Sequence, residues 1–496
     1  MTVCVENLPP SPDPTAAMTA GGDARIRLDP ETGLNRYLSA PRPSDVIAFA
    51  SSTANDISAP AFEHVARLLG EIGSGLSAAD YAARLETLRG RIRRAYRVAD
   101  EVALVFAPSG TDLEYVALAC VAGRSEGGTH NILLGADEVG SGCIHSAHGF
   151  YFAESTALGV ATAPGEPVPG LGGVHVDLVD IPVRDPAGRV RPSSDIAERM
   201  AEAIAAAERA RRHVVVHVVH GSKTGLILPS LEDIDRLRAQ HGGSATLVVD
   251  ACQGRITPDA VADYLARDSI VFVTGSKFMG GPPFSGFALV PAAVAAASPR
   301  LPDGLATIFR RAEWPRGWPG AEVLPDGSNL GLLLRLEASI FELERFQRLA
   351  PGDVERVILA FHAAVRGEIV DRTAARRVAP YPPGESEEAD THPIEMRTLS
   401  TLDLSALNGG STFEDAQRWH RAMVSHGVRL GQPVKCVTLP GPGSPSGTGA
   451  RWGATLRIGL AMWQVADRAG LPDDALARSF ADDMARVREA LVAAAT

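Results

Sequence analysis

Cysteine is scarce in this 496-residue chain, with only Cys4, Cys120, Cys143, Cys252 and Cys436. They are scattered, odd in number and without CxxC spacing. That pattern argues against a disulfide framework or a zinc site and for a reducing compartment. Long apolar runs are missing as well: no stretch approaches the ~20 residues a membrane-spanning helix needs. The first residues lack the basic start and apolar stretch of a secretion signal, so a cytoplasmic location is expected. A basic face is also lacking. The formal net charge is −11, the pI is near 5.7 and no Lys/Arg-rich run occurs. Nucleic acid is therefore not an expected partner, and the acidic balance mainly implies solubility.

Apolar content is ordinary, and the length suggests two or three packed units. Residues 1–22 are rich in Pro, Ala and small polar residues, which predicts a disordered arm. Residues 23–75 are expected to pack on a smaller domain and at a site entrance. Helical spacing runs over Pro60–Ile72 and Ala78–Val98. Short β-rich runs follow: Val102–Phe106, Asn131–Leu134, Val174–Val179, His213–Val219, Thr246–Val249, Ile270–Val273 and Gly286–Val290. Helices such as Ser193–Ala210 and Leu231–His241 lie between them. Several runs are apolar on both faces, as buried strands of a largely parallel sheet should be. The alternation predicts a doubly wound α/β domain over 76–330, with ligands bound beyond the carboxyl ends of its strands. A helix at Leu330–Leu349 opens a smaller α/β domain, 331–496, broken by loops at 379–392 and 440–450.

Three segments carry the chemistry. Thr274–Gly281 (TGSKFMGG) sets Lys277 at a strand end among glycines and hydroxyls, where a buried lysine becomes a nucleophile. The alternative is a solvated lysine in a turn. In Val248–Arg255 (VVDACQGR), Asp250 ends an apolar strand and needs a cationic partner. A protonated pyridine nitrogen would serve, as would Arg255. Ala107–Glu114 (APSGTDLE) offers the hydroxyls and N–H groups of Ser109, Gly110 and Thr111 at a helix start, which suit an anion such as phosphate. An ordinary N-cap at Thr111 would look the same.

Along the chain the three segments run anion loop, acidic strand end, then lysine, and in that order they resemble fold-type I pyridoxal 5′-phosphate (PLP) enzymes, specifically the class V aminotransferase and cysteine desulfurase group. The resemblance implies the aspartate-aminotransferase-like fold, with a seven-stranded sheet. It also implies that Lys277 holds PLP as a Schiff base. Asp250 would pair with the ring nitrogen and Gln253, of the Asp-x-x-Gln pattern, with the ring oxygen. Thr274 and Ser276 would join Ser109, Gly110 and Thr111 around the phosphate. Further similar segments are Gly221–Pro229, which puts Ser222 at the cofactor edge, and Pro325–Gly331. There Ser328 would touch the phosphate of a neighbouring subunit, implying a homodimer with the site at its interface. Leu456–Trp463 resembles the segment whose arginine, here Arg457, grips a substrate carboxylate.

The chain also departs from the pattern. Val139 stands where a ring-stacking histidine is expected, leaving Val139, His145 and His148 as candidates for that face. His145–Gly149 (HxxHG) is also similar to serine hydroxymethyltransferase-like enzymes. Ser276 replaces the histidine that often precedes the lysine, so Lys277 itself would move protons. Cys436 lies near a desulfurase nucleophile position without matching its surroundings, and a buried structural cysteine is expected. His213, His217 and His220 read as packing rather than metal ligands. The implied activity is α-carbon chemistry on an amino acid by an aminotransferase-like transferase. The alternatives are β/γ-elimination or substitution (a lyase, a desulfurase or a carbon–carbon bond-forming enzyme of secondary metabolism) and a non-catalytic PLP-binding protein.

Overall fold

Runs of valine, isoleucine and leucine, stiff at χ1 or bulky, pair into one central sheet in this computed structural model. It describes residues 13–73, 75–136, 138–140, 142–380, 398–439 and 451–496. A short first strand, β1 (Ile47–Phe49), stands apart from that sheet. The sheet strands are β2 (Ala103–Ala107), β3 (Thr129–Leu134), β4 (Val176–Ile181), β5 (His213–His220), β6 (Ile227–Leu228), β7 (Ala245–Ala251), β8 (Ile270–Thr274) and β9 (Gly286–Val290). Their order is β2-β9-β8-β7-β5-β3-β4, with the two-residue β6 added to β5. The seven expected strands are all present, and β6 is the addition.

Strands β8, β7, β5, β3 and β4 run parallel, and β9 alone opposes both of its neighbours. Every residue of β5, β8 and β9 is buried, because helices cover both faces. The register sets Asp250 beside Val219 on one side and Phe272 on the other, with Ala251 beside Val273. The turns after β7 and β8 therefore leave the sheet side by side.

A second, antiparallel sheet has the order β10-β11-β13, from β10 (Arg376–Val378), β11 (Leu399–Asp403) and β13 (Thr455–Gly459). The remaining strand, β12 (Val428–Leu430), pairs in parallel with β1. That pairing ties residues 47–49 to the C-terminal part of the chain, and Ala50 bridges Gly459. Ser51, Ser52 and Thr53 are thereby delivered to the second sheet.

The arm expected to be disordered is ordered in part. Residues 1–12 lie outside the described residues, but Pro14–Met18 is a helix N-capped by Asp13. Met18 is fully buried, in one apolar cluster with Val65, Leu334 and Ala338. Arg335, itself fully buried, donates to the carbonyls of Met18, Ala20 and Gly21 at 2.7–2.9 Å. Composition correctly marks the arm as poor in core formers, but a single methionine and one arginine suffice to fasten it. The loop expected at 440–450 lies outside the described residues, as does most of the one at 379–392. Among the described residues no helix is long and apolar enough to cross a membrane.

Candidate active site

Nine of the eleven predicted site residues line one cavity of about 180 Å³: Gly110, Thr111, Ser222, Asp250, Gln253, Thr274, Ser276, Lys277 and Arg457. Three surface grooves are larger, at about 500, 600 and 620 Å³, yet none gathers any of these residues. The tenth, Ser109, sits just behind the lining, where its hydroxyl donates to Asp112 at 2.6 Å. Ser328 is the exception. It precedes the helix Leu330–Gln347 and does not reach the cavity within this chain.

Asp250 is buried at the end of β7 and accepts the backbone N–H of Cys252 at 2.9 Å. Burial pushes its carboxyl up, while Lys277 and Lys223 pull it down. The salt bridge to Arg255 is not formed. That arginine instead bonds Thr398, Ser51 and Gln253. Burial and the neighbouring Arg457 lower its guanidinium to about 9. A second carboxyl, Glu114, is fully buried, and burial together with Asp250 drives it well up. His217 lies 3.3 Å from Glu114, and burial lowers its imidazole to about 3.

Lys277 follows β8 by three residues. Asn55 donates to the carbonyls of Ser276 and Lys277, which pins the backbone that aims the amine. Burial, then the charges of Arg457 and Lys223, lower the Lys277 amine to about 7. Close packing at this corner explains the glycine of the anion loop. A Cβ on Gly110 would come within 2.7 Å of Thr274 Cγ2, so only glycine lets the loop touch the end of β8.

Arg457, on β13, is buried at 2% exposure. Its guanidinium donates to the carbonyls of Gln432, Ser52 and Lys223 and to the Thr53 hydroxyl, at 2.8–3.2 Å. Four of five N–H groups are thus committed to holding the fork flat, and one at Nη2 is left for a ligand. Val139 lines the cavity, whereas His145 is exposed and His148 packs on Phe150. Of these three candidates, Val139 is the one among the lining residues. Cys436 is buried away from the cavity, and burial raises its thiol to about 12. His213 bonds Thr246 and His220 bonds Tyr264. Among the described residues no group of three or more His, Cys, Asp or Glu could hold a metal ion.

The chain as a whole is similar to several solved structures. One is a cysteine desulfurase from Escherichia coli, with TM-score 0.54 and 15% identity, covering 90% of this chain and 95% of that one. A second is ureidoglycine–glyoxylate aminotransferase from Bacillus subtilis, with TM-score 0.52 and 13% identity over 91% and 93%. A third is pyridoxamine–pyruvate aminotransferase from Mesorhizobium loti, with TM-score 0.50 and 16% identity over 90% and 96%. The chain has the aspartate-aminotransferase-like fold. No protein-family model matches it, and no curated sequence does either.

Other lining residues escape sequence reasoning: Arg25, Glu138, Lys223 and Gln432. One signal was available for Lys223. The chain has only three lysines, Lys223, Lys277 and Lys435, and two of them line this cavity. Within the 23–75 segment expected at the entrance, Tyr37 lines the cavity, while Asn35 is buried in a turn with Ser39.

Proposed function

We propose that this chain is a PLP-dependent enzyme that acts at the α-carbon of an amino acid, in the manner of an aminotransferase. The observation that supports it most is the convergence of Asp250 and Lys277 on one cavity from adjacent strand ends. The residues present fit the cofactor. A buried carboxylate suits a protonated ring nitrogen, a lysine amine lowered to about 7 suits an aldehyde, and a hydroxyl-lined loop suits a phosphate. PLP, when bound, supplies an electron sink for charge developing at the α-carbon of an amino acid.

The protein's own groups would do the rest. Asp250 would keep a proton on the ring nitrogen by stabilising its positive charge. Lys277 Nζ would carry the cofactor, and once released would take and return the α-proton, since among the described residues no histidine lines the cavity. Val139 would pack on a ring face, Gln253 would meet the ring oxygen and Ser222 the ring edge. Arg457 would bind the substrate carboxylate through its remaining N–H. A homodimer, with Ser328 reaching a neighbour's phosphate, belongs to the same reading. A lyase is the second reading, favoured by the aliphatic Val139 and by Ser276 in place of a histidine. A desulfurase is disfavoured, because Cys436 is not among the lining residues and burial raises its thiol to about 12. The test is a panel of amino acids with product analysis, with and without a keto-acid acceptor. Acceptor-dependent amino transfer supports the first reading. Acceptor-independent release of ammonia, sulfide or alanine supports the second.

A further inference from the structure

The anion loop is not empty of charge, because Arg25 occupies its mouth. The guanidinium donates from Nη2 to Ser109 Oγ at 3.2 Å and from Nη1 to Thr111 Oγ1 at 3.4 Å. It is held flat by Phe284 at 4.4 Å and Phe152 at 4.8 Å, and clamped by Asp23 through Nε at 2.8 Å and Nη2 at 2.7 Å. Two aromatic faces and a bidentate carboxylate leave it little freedom. The segment carrying it is fixed too. Asp23 caps the turn Ala24–Ile26, and Gly21 is gripped by Asn329 and Arg335. Four N–H groups are engaged, and one at Nη1 remains free to donate. Because Thr111 Oγ1 accepts from Arg25, its own O–H proton is directed elsewhere and can donate to an anion.

We propose that Arg25 grips the cofactor phosphate, so that the N-terminal segment completes the cofactor site from within the same chain. This rests on the PLP reading above. The geometry distinguishes a phosphate from a substrate carboxylate, since beyond Asp23 the partners of Arg25 are the two hydroxyls of the anion loop, whereas Arg457 sits among Ser52, Thr53 and Gln432. Burial raises the nearby Asp112 carboxyl to about 7, and it accepts the Ser109 hydroxyl at 2.6 Å.

The test compares PLP with pyridoxal, which has the same ring and aldehyde but no phosphate. Binding to the full chain is followed by absorbance, with wild type, Arg25→Ala and Arg25→Gln. The expected result is a loss of about 10–100-fold in PLP affinity in both variants, with pyridoxal affinity unchanged. Inorganic phosphate should compete with PLP in the wild type and much less in the variants. Arg25→Gln keeps a planar group between the two rings, and decides the matter should Arg25→Ala not fold. A variant that retains the wild-type preference for PLP over pyridoxal overturns the inference alone. A wild type that binds neither compound overturns the PLP reading with it.

Discussion

Raising the pH from about 5.5 to about 9 should switch on the capture of a pyridoxal aldehyde by Lys277, because only the neutral amine attacks. The magnitude follows from the site. A lysine amine at its ordinary 10.5 is neutral in about one molecule in 3,000 at pH 7. Held near 7 by burial and by the charges of Arg457 and Lys223, it is neutral in about half of the molecules, a gain of roughly three orders of magnitude. Stopped-flow absorbance of the cofactor-free protein mixed with PLP should give a rate that rises through a midpoint near 7 and then levels off. In Lys223→Gln the loss of a like charge should move that midpoint upward. A wild-type rate still climbing steeply at pH 9 would refute the electrostatic account of the cavity, as would a midpoint unmoved in the variant.

Other outcomes can be checked on the same protein. Gly110→Ala forces a Cβ against Thr274 Cγ2, and should cost about 1–3 kcal/mol of stability in urea unfolding, with weaker cofactor binding. Asp250→Asn removes the charge that holds a proton on the ring nitrogen; turnover should fall by at least about 100-fold, with covalent capture retained. Arg457→Lys should raise the KM for an amino acid by about 10–100-fold and leave cofactor content unchanged, since a point charge cannot replace the fork. Asn55→Ala frees the backbone of Lys277, and should slow capture without shifting its pH midpoint.

Much of the fold was legible because each strand of the central sheet is a contiguous apolar run with no competing period. Asp250 and Lys277 were legible for a related reason: both sit in local motifs at strand ends, where polar residues conflict with their apolar surroundings. Arg25 and Gln432 carry no such local mark. They reach the cavity through contacts across hundreds of residues, namely the anchoring of Gly21 by Arg335 and the pairing of β1 with β12. The N-terminal arm misled for the converse reason. Its composition is rich in Pro, Ala and small polar residues, but order there depends on one buried methionine and on an arginine more than 300 residues away. Which of Val139, His145 and His148 lines the cavity depends on how the loop around the short helix Cys143–Ala147 lies against it. The residues alone did not specify that.

The central claim is that Lys277 is the covalent anchor of PLP, and the three-lysine composition makes it directly measurable. The protein is incubated with PLP, reduced with borohydride, digested and mapped by mass spectrometry. A pyridoxyl adduct at Lys277, absent from Lys223 and Lys435 and lost in Lys277→Ala, is the predicted result. No adduct, or one that persists in Lys277→Ala, would contradict it.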